Sequence, residues 1–131
     1  MPKLIKRKIV HDVKEFTINR AKWGRGDSNE GYLLNDVSGK MCCLGFYAKA
    51  CGLKNKDIIG VTDPASYQSY FFEKNSGTWK TKLLKSSRNT STCNDLIIIN
   101  DSMYITDEAR EEKIIKKFAR IGIKVKFVGK K

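Results

Sequence analysis

The chain of 131 residues has the length of one domain, with 40% hydrophobic and 31% charged residues. A domain of this size buries enough apolar surface to fold without disulfides or a structural metal, and its composition excludes a largely disordered chain. The formal net charge of +12 is spread along the sequence and favours an anionic partner. The basic start has no signal-peptide pattern and no apolar run is long enough to cross a bilayer. We therefore expect a cytoplasmic protein with no membrane partner.

Short strands and turns are predicted for the first forty residues. Residues 3–10 alternate imperfectly between apolar and basic side chains, and residues 15–19 have a similar strand character. Two glycines and an Asp-Ser pair interrupt any periodic element over Trp23–Asn29, and Asn35–Gly39 has the composition of a second turn.

A buried helix is predicted from Lys40 to Cys51, because Met41, Leu44 and Ala48 follow one helical face. Gly52 stands where a left-handed C-terminal cap belongs, and a short helix is expected over Asn55–Ile59. The cysteines are interpreted as free buried thiols, since two of them are adjacent in this helix and the sequence shows no export signal. They are Cys42, Cys43, Cys51 and Cys93.

The middle of the chain is less periodic. Residues 66–74 are rich in aromatic side chains and fit either a helix or a strand, whereas residues 79–84 alternate as a strand does. The β-branched run Leu96–Ile99 favours a strand, although a short helix over 91–99 fits almost as well.

The last two predicted elements have the clearest patterns. Thr106 is a good N-cap for a helix that continues to about Ile121, with Gly122 as its stop. Its expected buried stripe consists of Ile114, Ile115, Phe118 and Ile121. Residues 123–128 alternate strictly and predict a strand with Ile123, Val125 and Phe127 inward and Lys124 and Lys126 outward. The elements together predict an α+β fold, a single domain over residues 1–131 with a small, mainly antiparallel sheet packed against two or three helices.

No catalytic or metal-binding pattern stands out. His11 is the one histidine, the cysteines include no C-x-x-C pair, and no Walker loop or dinucleotide fingerprint occurs. Acidic pairs in the last helix fall where the helix dipole favours them. We therefore expect a protein that is not an enzyme and has no metal or cofactor.

The first candidate binding site is the basic turn around Trp23. Arginine offers paired hydrogen bonds to phosphate, glycines let backbone N–H groups approach an anion, and an indole can stack on a base. The alternative, equally compatible with the sequence, is a solvated turn whose tryptophan packs into the core. A tyrosine and an arginine near the start of the last helix would complete the site. The set is Arg20, Lys22, Trp23, Arg25, Tyr104 and Arg110.

A second candidate site lies in residues 74–94, which contain no acidic residue. Basic side chains interleaved with a tryptophan are typical of a nucleic-acid-binding face. The alternative is a basic edge strand whose lysines discourage aggregation. The residues concerned are Trp79, Lys80, Lys82, Lys85 and Arg88.

The chain resembles a group of short phage and prophage proteins of uncharacterised function. The resemblance rests on Trp23-Gly-Arg-Gly, on Gly39-Lys-Met-Cys-Cys-Leu-Gly-Phe with Cys51-Gly52, and on Asn100-Asp101 before the last helix. It implies a viral or mobile-element origin and a cytoplasmic site of action, and it implies no activity.

Three functions are compatible with these observations. The first is a non-enzymatic, oligomeric binder of a phosphate-bearing nucleotide, which would sequester a nucleotide immune signal as an anti-defence protein. The second is a DNA- or RNA-binding accessory protein, and the third is an inhibitor that binds an acidic surface of a host protein.

Overall fold

Two strands and three helices form the described part of the molecule, which in this computed structural model comprises residues 13–26, 34–35, 37–52, 55, 59 and 95–130. Strand β1 is Glu15–Asn19, followed by a 3-10 turn over Arg20–Lys22. Helix α1 is Cys43–Ala50, residues 95–101 form helix α2, helix α3 is Asp107–Ala119, and strand β2 is Lys124–Val128. The predicted elements at 3–10, 66–74 and 79–84 lie outside the described residues, as does most of the short helix predicted at 55–59.

The two described strands are parallel, so the expectation of a mainly antiparallel sheet is wrong for them. Glu15 pairs with Lys124 and the register continues to Asn19 with Val128. Antiparallel neighbours can share a tight hairpin, whereas parallel neighbours need a long crossover. Here the crossover contains all three helices, and α+β describes the layered arrangement only in the broad sense of helices packed on a small sheet.

The alternation predicted for the last strand is confirmed. Val125 is buried and Phe127 is half-buried on the inner face, while Lys124 and Lys126 are exposed. Strand β1 has the same period, with two buried residues, Phe16 and Ile18, on the inner face.

Helix α1 begins at Cys43, three residues later than predicted. The cause is an isolated parallel bridge between Trp23 and Met41, in which the Met41 N–H donates to the Lys22 carbonyl and the Gly24 N–H donates to the Met41 carbonyl, each at 2.9 Å. These bonds keep Met41 extended. The helix ends at Ala50, one residue earlier than predicted, and Gly52 follows as the predicted left-handed cap, with a φ of 103° that suits glycine.

The apolar run Leu96–Ile99 is helical, so the strand preferred from its β-branched residues is wrong and the helical alternative is correct. Leu96 and Asn100, four positions apart, are completely buried, whereas Ile98 is 66% exposed. Burial with a period of four is a helical pattern, and packing overrides the β-propensity of the isoleucines.

Helix α3 begins as predicted, with the Thr106 hydroxyl accepting a hydrogen bond from the Ala109 N–H at 3.1 Å. Ile114 and Phe118 are completely buried, but Ile115 is 40% exposed, so the buried stripe is narrower than expected. Phe118 packs edge-on against Phe16 of β1, with ring centroids 5.0 Å apart, and so joins α3 to the sheet.

The interpretation of buried free thiols is confirmed for three cysteines, Cys42, Cys43 and Cys51. Cys93 lies outside the described residues. All three thiols lie in or beside α1, where they contribute to the core together with Leu44 and Tyr47.

Candidate anion-binding site

The turn that follows β1 lies against the first half of α3. Asn19 caps the 3-10 turn, since its Oδ1 accepts from the Ala21 N–H at 3.0 Å. The chain then passes through the bridge at Trp23 and turns at Gly26, which has a φ of 73° and donates its N–H to the Asn100 carbonyl at 2.8 Å. This path brings four of the predicted site residues together: Arg20, Trp23, Arg25 and Arg110.

Trp23 is completely buried, so its ring is not available to stack on a base. Its Nε1–H donates to Asn100 Oδ1 at 2.8 Å. The Phe127 ring lies with its centroid 4.9 Å from that of the indole, and the Arg25 guanidinium lies 4.6 Å from the indole centroid. The core-packed alternative is therefore the arrangement that the structure has.

Arg20 is held by a carboxylate rather than left open to a ligand. Its Nε and Nη2 donate to the two oxygens of Glu111, each at 2.7 Å, and its Nη1 donates to the Gly129 carbonyl at 2.8 Å. The hydrogen bond to Glu111 is the main cause of a raised pKa at Arg20. A paired, fork-like geometry of this kind is the strongest form of the arginine–carboxylate interaction.

Arg25 is also held by a carboxylate, that of Asp107, which lies one turn before Glu111 on α3. Its Nε and Nη2 lie 3.1 and 3.0 Å from Asp107 Oδ2, and its Nη1 donates to the carbonyls of Arg20 and Trp23. Partial burial raises the pKa of Asp107, but hydrogen bonds from Arg25 and Arg110 outweigh it and leave that pKa below its usual range. Asp107 and Glu111 are four residues apart and so share one face of α3.

Arg110 is a buried structural residue, with 2% of its surface exposed. Its Nη1 donates to the carbonyls of Ile99 and Asn100 at 2.7 and 3.0 Å, and its Nη2 donates to that of Ile105 at 3.1 Å. Its Nε completes the set with Asp107 Oδ1 at 3.2 Å. The guanidinium thus fixes the connection between α2 and α3 and faces no open site.

Asn100 is the central residue of this network. Its Oδ1 accepts from Trp23 Nε1 and from the Cys43 N–H, and its Nδ2 donates to the Gly24 carbonyl and to Asp101 Oδ1. Both lone pairs and both N–H groups of the amide are therefore used. Asn100 accepts the hydrogen bond of the Cys43 N–H and so helps to cap α1 from a distant helix. The sequence signal was a polar residue four positions after Leu96 in an apolar run, and the sequence analysis used Asn100 only as part of the resemblance.

Lys22 and Tyr104 are exposed, and within the described residues neither side chain takes part in the hydrogen bonds that hold Arg20, Arg25 and Arg110. The Tyr104 side chain is 90% exposed and stands in a stretch that carries three carboxylates, those of Asp101, Asp107 and Glu108. These negative charges disfavour an anionic ligand at Tyr104. The residues of the second predicted site, Trp79, Lys80, Lys82, Lys85 and Arg88, lie outside the described residues.

A set of exposed cations runs from the middle of α3 to the start of β2, and we call this set the basic end. Lys113 and Lys116 of α3 and Arg120, its C-cap, are spaced three and four positions apart. The Lys124 N–H donates to the Lys14 carbonyl at 2.8 Å, so the backbones of these two lysines lie side by side. Of the five residues of the basic end, Lys116 alone forms a salt bridge within the described part of the chain, with Glu112 at 3.3 Å. The basic end comprises Lys14, Lys113, Lys116, Arg120 and Lys124.

The described residues offer little for covalent or metal chemistry. No group of three histidine, cysteine or acidic side chains converges among residues 13–26, 37–52 and 95–130 or the few others that are described. Burial raises the pKa of the Cys42 thiol to about 12, so this thiol stays protonated at neutral pH. Within the same residues, every helix is too short or too polar to span a bilayer.

No protein-family model matches the chain, and no curated protein or solved structure matches it either. The chemistry of the chain's own side chains therefore carries the functional interpretation.

Proposed function

We propose that the protein is a non-enzymatic binding protein for a phosphate-bearing polyanion, with nucleic acid as the favoured partner. The observation that supports this most directly is the difference between two sets of cations. The arginines of the turn are bound to carboxylates and carbonyls, whereas Lys113, Arg120 and Lys124 of the basic end are exposed and form no salt bridge among the described residues.

Binding a phosphate should cost less free energy at the basic end than at the turn. A phosphate at Arg20 or Arg25 would have to displace Glu111 or Asp107 from paired, charge-assisted hydrogen bonds, and a phosphate at Arg110 would have to enter the core. A phosphate at Lys113, Arg120 or Lys124 displaces no salt-bridged carboxylate of the described residues, only water and counterions, whose release itself favours binding to a nucleic acid.

The arrangement of the basic end suits a polymer better than a single nucleotide. Small-ligand sites are concave and enclose most of the ligand. Here Lys113, Lys116 and Arg120 follow one exposed helix face, where the seven steps from Lys113 to Arg120 span about 10 Å, and Lys124 follows at the start of β2. Such a row can contact successive phosphates. The sequestration of a nucleotide signal and an anti-defence role stay predictions that depend on the sequence and on the phage resemblance.

Fluorescence anisotropy with a labelled single-stranded oligonucleotide and its duplex tests the proposal. The affinity should fall steeply as salt is added. The double substitution Arg120→Gln with Lys124→Gln should weaken binding and reduce the slope of log affinity against log salt by about one per lost contact.

A matched control removes the same charge from the side of the turn. Lys22→Gln with Lys40→Gln neutralises two exposed lysines that form no salt bridge within the described residues. Nucleic-acid binding that this control lowers as much as the basic-end variant would contradict the proposed surface. A nucleotide released on heating from protein washed in high salt, with no oligonucleotide binding, would favour sequestration instead.

A further inference from the structure

A second surface with different chemistry lies at the connection between α2 and α3. Three apolar side chains are strongly exposed there: Ile98 by 66%, Met103 by 69% and Tyr104 by 90%. We call this surface the corner. Single exposed apolar residues are common, but tyrosine and methionine grouped on one exposed connection are typical of a protein interface.

The corner is held rigidly from beneath. Arg110 binds the carbonyls of Ile99 and Ile105, on either side of Met103 and Tyr104. The Ser102 N–H donates to the Ile98 carbonyl at 3.0 Å, and the Ser102 hydroxyl accepts from the Tyr104 N–H at 3.2 Å. A preorganised apolar surface loses little entropy when a partner covers it.

Beside the corner, the exposed acid Glu108 has a charge opposite to that of the molecule as a whole. Glu108 is exposed and forms no salt bridge within the described residues, and Asp107 remains half exposed beside its arginine partners. The chain itself carries a net charge of +12. A corner of this composition therefore fits a cationic protein surface, and the basic end is such a surface on this chain.

We infer that the corner binds the basic end of a second copy of this chain, head to tail. The apolar part of the contact would place Met103 and Tyr104 against the aliphatic stems of Lys113 and Lys116 on the exposed face of α3. Tyr104 would meet Arg120 by a cation–π contact, and Glu108 would face the lysines. Two different surfaces are joined, so the contact does not close on itself and leads to open chains. A second copy and a nucleic acid would use the same cations and so would bind alternately.

Sedimentation equilibrium of the full chain at about 0.15 M salt, where surface charges remain only partly screened, tests the inference without any nucleic acid. The wild-type protein should associate progressively as its concentration rises. Met103→Ser with Tyr104→Ser should weaken association by roughly tenfold or more. Val37→Ser is the matched control, because Val37 is 93% exposed on a separate turn and its loss should change nothing.

A mixing experiment tests the head-to-tail geometry. The corner variant (Met103→Ser with Tyr104→Ser) and the basic-end variant (Arg120→Gln with Lys124→Gln) should each be largely monomeric alone. Each keeps one intact surface, so an equimolar mixture should form dimers and nothing longer. A wild-type protein that stays monomeric at every concentration would overturn the inference. So would a closed dimer that either variant leaves intact.

Discussion

Asn100 illustrates how a single side chain can determine a local structure. Its amide joins a tryptophan, the start of α1 and the Gly24 carbonyl, and the side chain has no exposed surface. Buried polar groups are tolerated when every one of them has a partner, and they become costly as soon as one partner is removed.

We expect Asn100→Ala to lower the free energy of unfolding by about 3 kcal/mol or more, because it leaves two buried N–H groups and one buried carbonyl without partners. Urea denaturation followed by tryptophan fluorescence would measure the loss. Asn19→Ala is the control, since Asn19 accepts one exposed hydrogen bond, from Ala21, and should cost about 1 kcal/mol or less. Equal losses in the two variants would show that the network contributes nothing beyond an ordinary cap.

Asp107 makes the stability of the turn depend on pH. Its pKa is lowered because hydrogen bonds from Arg25 and Arg110 outweigh the effect of burial. A carboxyl with a lowered folded-state pKa stabilises the protein fully above its ordinary pKa of about 4. That contribution is lost as the pH falls through the lower folded-state value.

Asp107→Asn should therefore reduce the difference in urea midpoint between pH 7 and pH 3. Glu108→Gln removes a neighbouring exposed carboxyl that forms no salt bridge in the described part of the chain, and it should leave that difference nearly unchanged. If the two variants retain the same pH dependence, the pairing of Asp107 with Arg25 and Arg110 is not its source.

At the scale of elements, the sequence predicted best where local patterns and tertiary packing agree. The strand at β1, the Thr106 cap, the strand β2 and the glycine at the end of α1 all follow from residues within one or two turns. The start of α1 could not be predicted in this way, because the bridge that extends Met41 involves a residue 18 positions earlier, Trp23. The parallel pairing of β1 with β2 likewise depends on a crossover that no local pattern specifies.

Helix α1 should protect its thiols from modification. The Cys42 thiol has a pKa raised to about 12 by burial, and the thiolate is the reactive form. Iodoacetamide at pH 8 should label the peptide that contains Cys42 and Cys43 slowly in the native protein and rapidly in urea, with mass spectrometry as the readout. Equal rates in the two conditions would show that α1 opens faster than the reagent reacts.

At the scale of the whole molecule, the net charge predicts the kind of partner to expect but does not locate a binding site. The surplus of cations was clear from composition, and the turn around Trp23 had the richest local cluster of arginine, glycine and tryptophan. Sequence reasoning could not show that Glu111 and Asp107, each more than 80 positions away, hold Arg20 and Arg25. Ion pairs between residues far apart in the sequence determine which cations remain available to a ligand. The candidate surface is therefore the basic end, whose sequence is less distinctive than that of the turn.

Thermal denaturation can separate this local surface from the general field of the protein. Inorganic polyphosphate binds the folded state through several cations at once and should raise the melting temperature of the wild-type protein by several degrees near saturation. Sulfate at the same ionic strength should raise it less. Arg120→Gln with Lys124→Gln and the control Lys22→Gln with Lys40→Gln lose the same charge, so a response governed by net charge alone would fall equally in both. We expect the larger loss in the basic-end variant, because Arg120 continues the exposed face of α3 that carries Lys113 and Lys116.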